Sequence, residues 1–226
     1  MSRAMLHFHV GRTDEARDLV EAHHYSGRWP GSVQCVGTWH SDGGLFGDAG
    51  SVVAACVFSI PPTRWSEAVL ELSRLCRSPA CHLPLSGIIA RTVQWVRKKQ
   101  MADLLVSFAD KTQNHHGGIY QASSWVYGGC RKQSMDGLIV DGEFVAGRSA
   151  NGRWGTRSPT RLKERLGDYH EIIQHYDLGK HLYWRPLNKQ GKRQAKRLGL
   201  QSAPYPKPEM AARRNASLPA LSEMEP

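Results

Sequence analysis

Between residues 68 and 130 the spacing of apolar positions switches from period two to helical and back. Ala68-Val-Leu-Glu-Leu-Ser-Arg-Leu-Cys76 alternates apolar with polar residues, the pattern of a strand. Two prolines in Arg77-Ser-Pro-Ala-Cys-His-Leu-Pro84 break it. From Leu85 to Gln100 the residues Leu85, Ile88, Ile89, Val93 and Val96 share one helical face, with Arg97, Lys98 and Lys99 suited to a C-terminal turn. Ala102 to Ala109 reads as a buried strand. Ile119, Ala122, Ser123 and Val126 then predict a second short helix, stopped by Gly128-Gly129. Strand, helix, strand at these lengths makes a parallel, right-handed crossover.

Upstream, Thr13 suits the cap of a helix running to about His24, followed by a loop, His23-His24-Tyr25-Ser26-Gly27-Arg28-Trp29-Pro30. Ser32–Trp39 and Ser51–Ile60 read as strands joined by a glycine-rich hairpin connection over 41–50. Downstream, Leu138–Val140 and Glu143–Val145 predict a hairpin about Asp141-Gly142. Residues 146–159 are rich in Gly, Arg and Ser and read as loop, with a helix from Ser158 or Thr160 to Leu166. Tyr169–His175 fits helix or strand, and Lys180–Leu187 a closing strand. The expected division is a domain over 1–187 and a basic, then low-complexity, unstructured tail over 188–226.

Composition narrows the class. The chain has 226 residues, and its 30 Lys+Arg against 20 Asp+Glu give a net charge of +10, which points to a polyanionic partner. No run of 18 apolar residues and no signal-peptide pattern occurs, so a membrane partner is not expected. The five cysteines read as reduced thiols of a cytosolic compartment. His170-Glu171 and His175 are spaced i,i+5, one residue too far for two imidazoles on one helix face. Cys76 and Cys81 are also too far apart for a zinc knuckle, so no metal ligand set is assigned.

Candidate chemistry centres on the crossover. Asp110 ends the second strand, where open α/β sheets place their ligand crevice; a turn cap is the plain alternative. Tyr120 follows on the next helix, so an acid and a phenol flank one strand–helix junction; its plain alternative is a packed aromatic. Arg74, inside an apolar strand, needs a partner: Glu71, Asp110 or a phosphate. Ser86 opens a helix whose free N–H groups attract anions. The loop holding His24, Tyr25, Arg28 and Trp29 either carries function or plugs the sheet edge with its aromatics. Lys189, Lys192, Arg193, Lys196 and Arg197 crowd a segment with few apolar residues, suited to phosphates.

Three sequence words occur in order: Glu71-Leu-Ser-Arg-Leu75, Ser107-Phe-Ala-Asp110 and Gly118-Ile-Tyr-Gln-Ala-Ser-Ser-Trp125. Together they resemble the phage Mom family, over roughly Val10 to Leu187. The resemblance implies a GNAT-like α/β fold, a mixed central sheet flanked by helices, and an enzyme adding an acetamido (glycinamide-type) group to adenine N6 in DNA. Such modification protects phage DNA from host restriction, in the cytoplasm of a bacterial host. Double-stranded DNA is then the partner, with the protein a monomer or homodimer. Adenine must be extruded from the duplex. Asp110 would accept from N6, Tyr120 would protonate a leaving group, and His24, Tyr25 and Trp29 would stack on the base. Arg28 and the 189–197 cations would hold phosphates, and Arg74 and Ser86 would line the anionic end of the donor site. The turn 77–87 lacks the glycine spacing with which acetyltransferases cradle coenzyme A. The donor is therefore open between an acyl-CoA such as acetyl-CoA and an aminoacyl-tRNA. Rival readings are an acetyltransferase acting on a protein or small amine, and an inactive DNA-binding module of the same fold.

Overall fold

A computed structural model describes residues 5–207, apart from 12, 42–49, 62–64 and 66–67. The expected connection over 41–50 lies largely outside the described residues, as does the tail beyond 207. The central sheet has seven strands: β1 (Met5–Val10), β2 (Val33–His40), β3 (Val52–Ser59), β4 (Val69–Arg77), β5 (Leu104–Asp110), β6 (Val126–Cys130) and β10 (Lys180–Pro186). Their order is β1-β2-β3-β4-β5-β10-β6. A second sheet, β8-β7-β9, joins β7 (Met135–Val140), β8 (Glu143–Ala146) and β9 (Ile172–Tyr176). The helices are α1 (Asp14–His23), α2 (Leu85–Lys98), α3 (Gly118–Ala122), α4 (Gly147–Trp154), α5 (Pro159–Leu166) and α6 (Lys189–Arg197).

The expected crossover is present: β4 and β5 pair in parallel, joined by α2. Strand alternation assigns the faces. Leu70 and Leu72 of β4 and Leu105 and Ala109 of β5 pack with Ile88, Ile89, Val93 and Val96 of α2. On the other face, Ala55, Val57 and Cys76 pack under Ala16, Leu19 and Val20 of α1. Farther along that face, Val69, Leu104, Val106 and Leu182 pack under Ala195 of α6.

The parallel pairing is short. It runs only from Val69↔Leu104 to Glu71↔Val106, although both strands continue. A bulge explains the divergence: Phe58 and Val57 pair with Leu72 and Arg74, leaving Ser73 as the extra residue, with its hydroxyl donating to the Val57 carbonyl at 3.1 Å. β5 meanwhile stays paired with β10 as far as Lys180↔Asp110. The sheet therefore opens at the carboxyl ends of β4 and β5.

Several expectations are corrected. Val126 belongs not to a helix but to β6, because α3 stops after five residues and Ser124 turns left-handed at φ 59°. Gly128-Gly129 lies inside that edge strand, where a Cβ on Gly128 would press on Leu182 and Trp184. The Gly/Arg/Ser-rich stretch after 146 holds α4, whose low propensity is overridden by burial of Ala150 in the core of the small sheet. Residues 5–10, given no element from sequence, form the edge strand β1.

The largest correction concerns the tail. Residues 189–197 are helical, capped by Asn188, whose side chain accepts from the Gly191 N–H at 2.9 Å. Beyond it, Ala203 N–H donates to the Tyr127 carbonyl at 2.8 Å and the Tyr205 hydroxyl to the Trp125 carbonyl at 2.6 Å. The chain through 205 is thus part of the folded domain. Gly191 sits where any Cβ would collide with the Asp103 carbonyl oxygen. Gly191→Ala should lower stability by roughly 1–3 kcal/mol, and removal of 188–226 should abolish cooperative unfolding. Urea denaturation checks both; wild-type midpoints would show that α6 is only an appendage.

Candidate functional site

On the face shared by α1 and α6, α1 packs over Cys76 near the end of β4 and α6 over Leu104 and Val106 of β5, and the polar residues Glu71, Arg74 and Asp110 share that face. Glu71 alternates with Leu70 and Leu72 and so points to this face; Arg74, two residues before Cys76 and opposite Val57, points the same way. Asp110 follows Val106 and Phe108 in the same alternation, and Lys180 lies directly across from it on β10. Two segments roof the patch. One is the loop after α1, the other the start of α4, and they are joined where the Arg28 guanidinium donates to Ser149 Oγ at 2.8 Å. Arg74 ties the loop down by donating from Nε to the Arg28 carbonyl at 2.9 Å.

Within this patch Glu71 stands out. Its carboxylate makes no hydrogen bond or ion pair among the described residues. Burial raises its pKa above the ordinary value, opposed by the nearby charges of Arg74, Arg148 and Lys180. Burial likewise lowers the pKa of Arg74, offset by Tyr25 and Glu71 and reinforced by Arg148. A desolvated carboxylate is poised to take up a proton, and the cations around it, Arg74 held on backbone carbonyls, Lys180 paired with Asp177 at 3.4 Å, and Arg148, favour an anion nearby. From sequence, Glu71 appeared only as a partner for Arg74. The legible signal was an acid inside an otherwise apolar strand, alternating away from the leucine face.

The loop residues divide. His24 caps α1, and its Nδ1 accepts from the Ser26 backbone N–H at 3.1 Å, so the proton of the neutral ring is on Nε2. Tyr25 lies against His24, with ring centroids 4.3 Å apart, and edge-on to His115 at 5.6 Å. It is 54% exposed, yet burial and then the charge of Asp110 raise the pKa of its hydroxyl, opposed by Arg74. Trp29 instead packs against the α1 core, so its expected place in a stacking platform is not borne out.

Asp110 takes the alternative role of a turn cap: its side chain accepts from the Thr112 N–H at 2.9 Å and opens a 3-10 turn over Lys111–Gln113. Tyr120 is on the opposite face, buried in the α2 core and stacked on Tyr183 with centroids 4.9 Å apart. The two therefore do not form one acid–base pair on a shared face. Tyr120 still reaches the opening between the strands. Ser107 Oγ is 2.8 Å from both the Tyr120 hydroxyl and the Leu72 carbonyl. A carbonyl only accepts, so Ser107 gives its single proton to Leu72 and the Tyr120 hydroxyl donates to Ser107. Full burial holds that phenol protonated, far above its ordinary pKa.

Ser86 is separated from Arg74 by the sheet, because α2 packs on the leucine face; the expected joint anion site is not formed. The Ser86 carbonyl accepts from Ser123 Oγ at 3.2 Å, which ties α2 to α3. The Arg77 guanidinium spans the preceding turn and donates to the Leu83 carbonyl at 2.9 Å. With no glycine between Arg77 and Ser86, this turn does not fit coenzyme A in the glycine-cradle manner. The described residues contain no group of three His, Cys, Asp or Glu able to hold a metal. None of their helices is long and apolar enough to cross a membrane.

The Mom protein family matches this sequence over residues 6–207. The chain belongs to that family. No curated protein matches it. Among solved structures, a Bacillus subtilis acetyltransferase in complex with CoA is 11% identical and aligns over 82% of this chain and 100% of its own, with a TM-score of 0.45. A GNAT family acetyltransferase from Elizabethkingia anophelis with acetyl-CoA bound is 12% identical, over 81% and 97%, with a TM-score of 0.46. Arabidopsis thaliana NAA60 in complex with a bisubstrate analogue is 10% identical, over 81% and 100%, also at 0.46. In this Mom family member the three sequence words converge from β4, β5 and α3 on the opening between the two strands.

Burial and the neighbouring Arg74 and His115 depress the pKa of His24 to about 4. The unfolded chain takes up that proton near pH 6.5. The contribution of His24 to stability should therefore be full above about pH 6.5 and be lost progressively as pH falls toward 4. NMR titration should show a neutral, Nε2-protonated ring at pH 5.5; a midpoint near 6.5 would contradict the buried placement.

Proposed function

We propose that this Mom family member is a transferase that modifies the exocyclic N6 of adenine in DNA by adding an acetamido group. The observation that carries the reading is the family match across nearly all of the described chain. The site supports it with a roofed patch containing a proton-seeking Glu71 that has no partner among the described residues, nearby cations and an exposed Tyr25. Adenine N6 is a weak nucleophile, because its lone pair is drawn into the ring, and in a duplex it is stacked out of reach. The base is extruded at a cost of about a few kcal/mol. Tyr25 and His24 offer it a π-face, while Arg28 and Arg148 attract the flanking phosphates. As the N6–carbon bond forms, N6 loses a proton, and Glu71 is the acceptor. Asp110 fixes the turn beside it and sets the charge around Tyr25. Across the opening, Tyr120 keeps its proton on Ser107 and so fixes the Leu72 carbonyl beside Glu71, a positioning role. The donor is an acyl-CoA or an aminoacyl-tRNA; direct transfer of its acyl group joins N6 to a carbonyl carbon, releases the thiol or the ribose hydroxyl and leaves an amide, so the acetamido product, joined through a methylene carbon, requires a step beyond simple acyl transfer. The setting is the cytoplasm of a bacterial host, where such a change hides phage DNA from restriction enzymes.

Mass analysis of nucleosides from bacteria expressing the chain tests the proposal. The expected result is a deoxyadenosine derivative heavier by one acetamido substitution. Unchanged nucleosides alongside an acetylated protein or small amine would replace it with the acetyltransferase reading. Glu71→Gln should retain the fold and lose roughly 10²–10⁴-fold in modification rate, more than Asp110→Asn loses. A larger loss in Asp110→Asn would return the acceptor role to Asp110.

A further inference from the structure

A second concave site lies on the same sheet face as the proposed centre, at the other end of β10. A cleft of about 470 Å³ opens between α6 and the sheet edge, within the size range of small-ligand sites. Its walls are apolar, with Val126, Trp184, Pro186 and Leu200, and Lys192 and Lys196 stand on its α6 side. Both lysines are exposed, and neither is in an ion pair among the described residues. The Trp184 indole is held in place, its N–H donating to the Gln201 carbonyl at 3.4 Å.

The helix beside the cleft is costly without an anion. Lys189 and Arg193, Lys192 and Lys196, and Arg193 and Arg197 are like-charged pairs at i,i+4, each of which destabilises an isolated helix. Neutralisation is not available locally in sequence, since no Asp or Glu occurs between Asp177 and Glu209. The folded α6 presents these charges on a fixed surface, where a solvated tail would let them separate. An aromatic wall beside two fixed ammonium groups matches a nucleobase and its phosphates.

We propose that this cleft takes one nucleotide of a DNA strand, its base against the Trp184 indole and its phosphates on Lys192 and Lys196. Lys180 and Trp184 share one face of β10 and are four residues apart. The cleft therefore lies roughly 13 Å along the strand from the proposed centre, about the reach of two nucleotides. It would hold a neighbour of the extruded adenine in the locally opened strand. This site rests on the reading of the chain as a DNA-modifying enzyme for its choice of ligand.

Fluorescence anisotropy with the full chain tests it, using a labelled single-stranded oligothymidylate and an abasic strand of equal length. The wild type should bind the base-bearing strand at least about fivefold more tightly. Trp184→Leu should reduce that preference to what the His24 and Tyr25 face supplies and keep the abasic affinity. The paired change Lys192→Gln and Lys196→Gln should weaken both strands and reduce the salt slope by about 1.4. A base preference unchanged in Trp184→Leu overturns the proposal. If that variant does not fold, the lysine variant decides, since both of its side chains are exposed; unchanged affinities and slope would overturn the site. Nucleoside mass analysis run in parallel separates the two readings. A chain that binds as described but leaves adenine untouched loses the enzymatic reading and keeps the site. One that modifies adenine without a base preference keeps the enzyme and loses the site.

Discussion

Everything at the proposed centre depends on the failure of β4 and β5 to stay paired. Three parallel register pairs hold their start, and the extra residue at Ser73 then bends β4 away while β10 keeps β5 straight. A continuous ladder would have closed the sheet there. Instead the Leu72 carbonyl turns to Ser107 and through it to Tyr120, and Glu71 is left at the edge of the gap with no hydrogen-bond or ion-pair partner among the described residues. The two sides of the opening have opposite protonation tendencies. On one face burial keeps a phenol charged with its proton; on the other it leaves a carboxylate seeking one.

The roof over that gap is made from parts distant in sequence. Arg74 reaches the Arg28 carbonyl from β4, and Arg28 reaches Ser149 on α4, so one chain of donors links the central sheet, the loop after α1 and the small second sheet. These contacts use backbone carbonyl and hydroxyl acceptors in place of carboxylates. The guanidinium charges of Arg28 and Arg74 are consequently held in position without being neutralised, which suits a surface built for phosphate.

The crossover was legible because its period changes are long and its leucine face is unambiguous. Asp110 was legible as a strand-end acid, but sequence could not place it on the face opposite Tyr120, because that follows from counting alternation through a register only the sheet defines. Val126 was misplaced because a five-residue helix and the strand after it happen to share helical spacing. The segment after Asn188 looked unstructured for want of apolar residues. Gly191 and Ala195 supply the contact through their smallness, which lets α6 lie close on the sheet. Glu71 was in plain view, yet its lack of a partner among the described residues is a three-dimensional fact.

The central claim is that the target base sits over Glu71, beneath the loop after α1 and the first turn of α4. The most direct measurement is photocrosslinking with a duplex carrying a photoreactive purine in place of the target adenine, the adducts being mapped by peptide mass analysis. Adducts are expected on His24, Tyr25 or the 147–149 turn. Adducts confined to the first turn of α2, or to the open face of the small sheet, would contradict it.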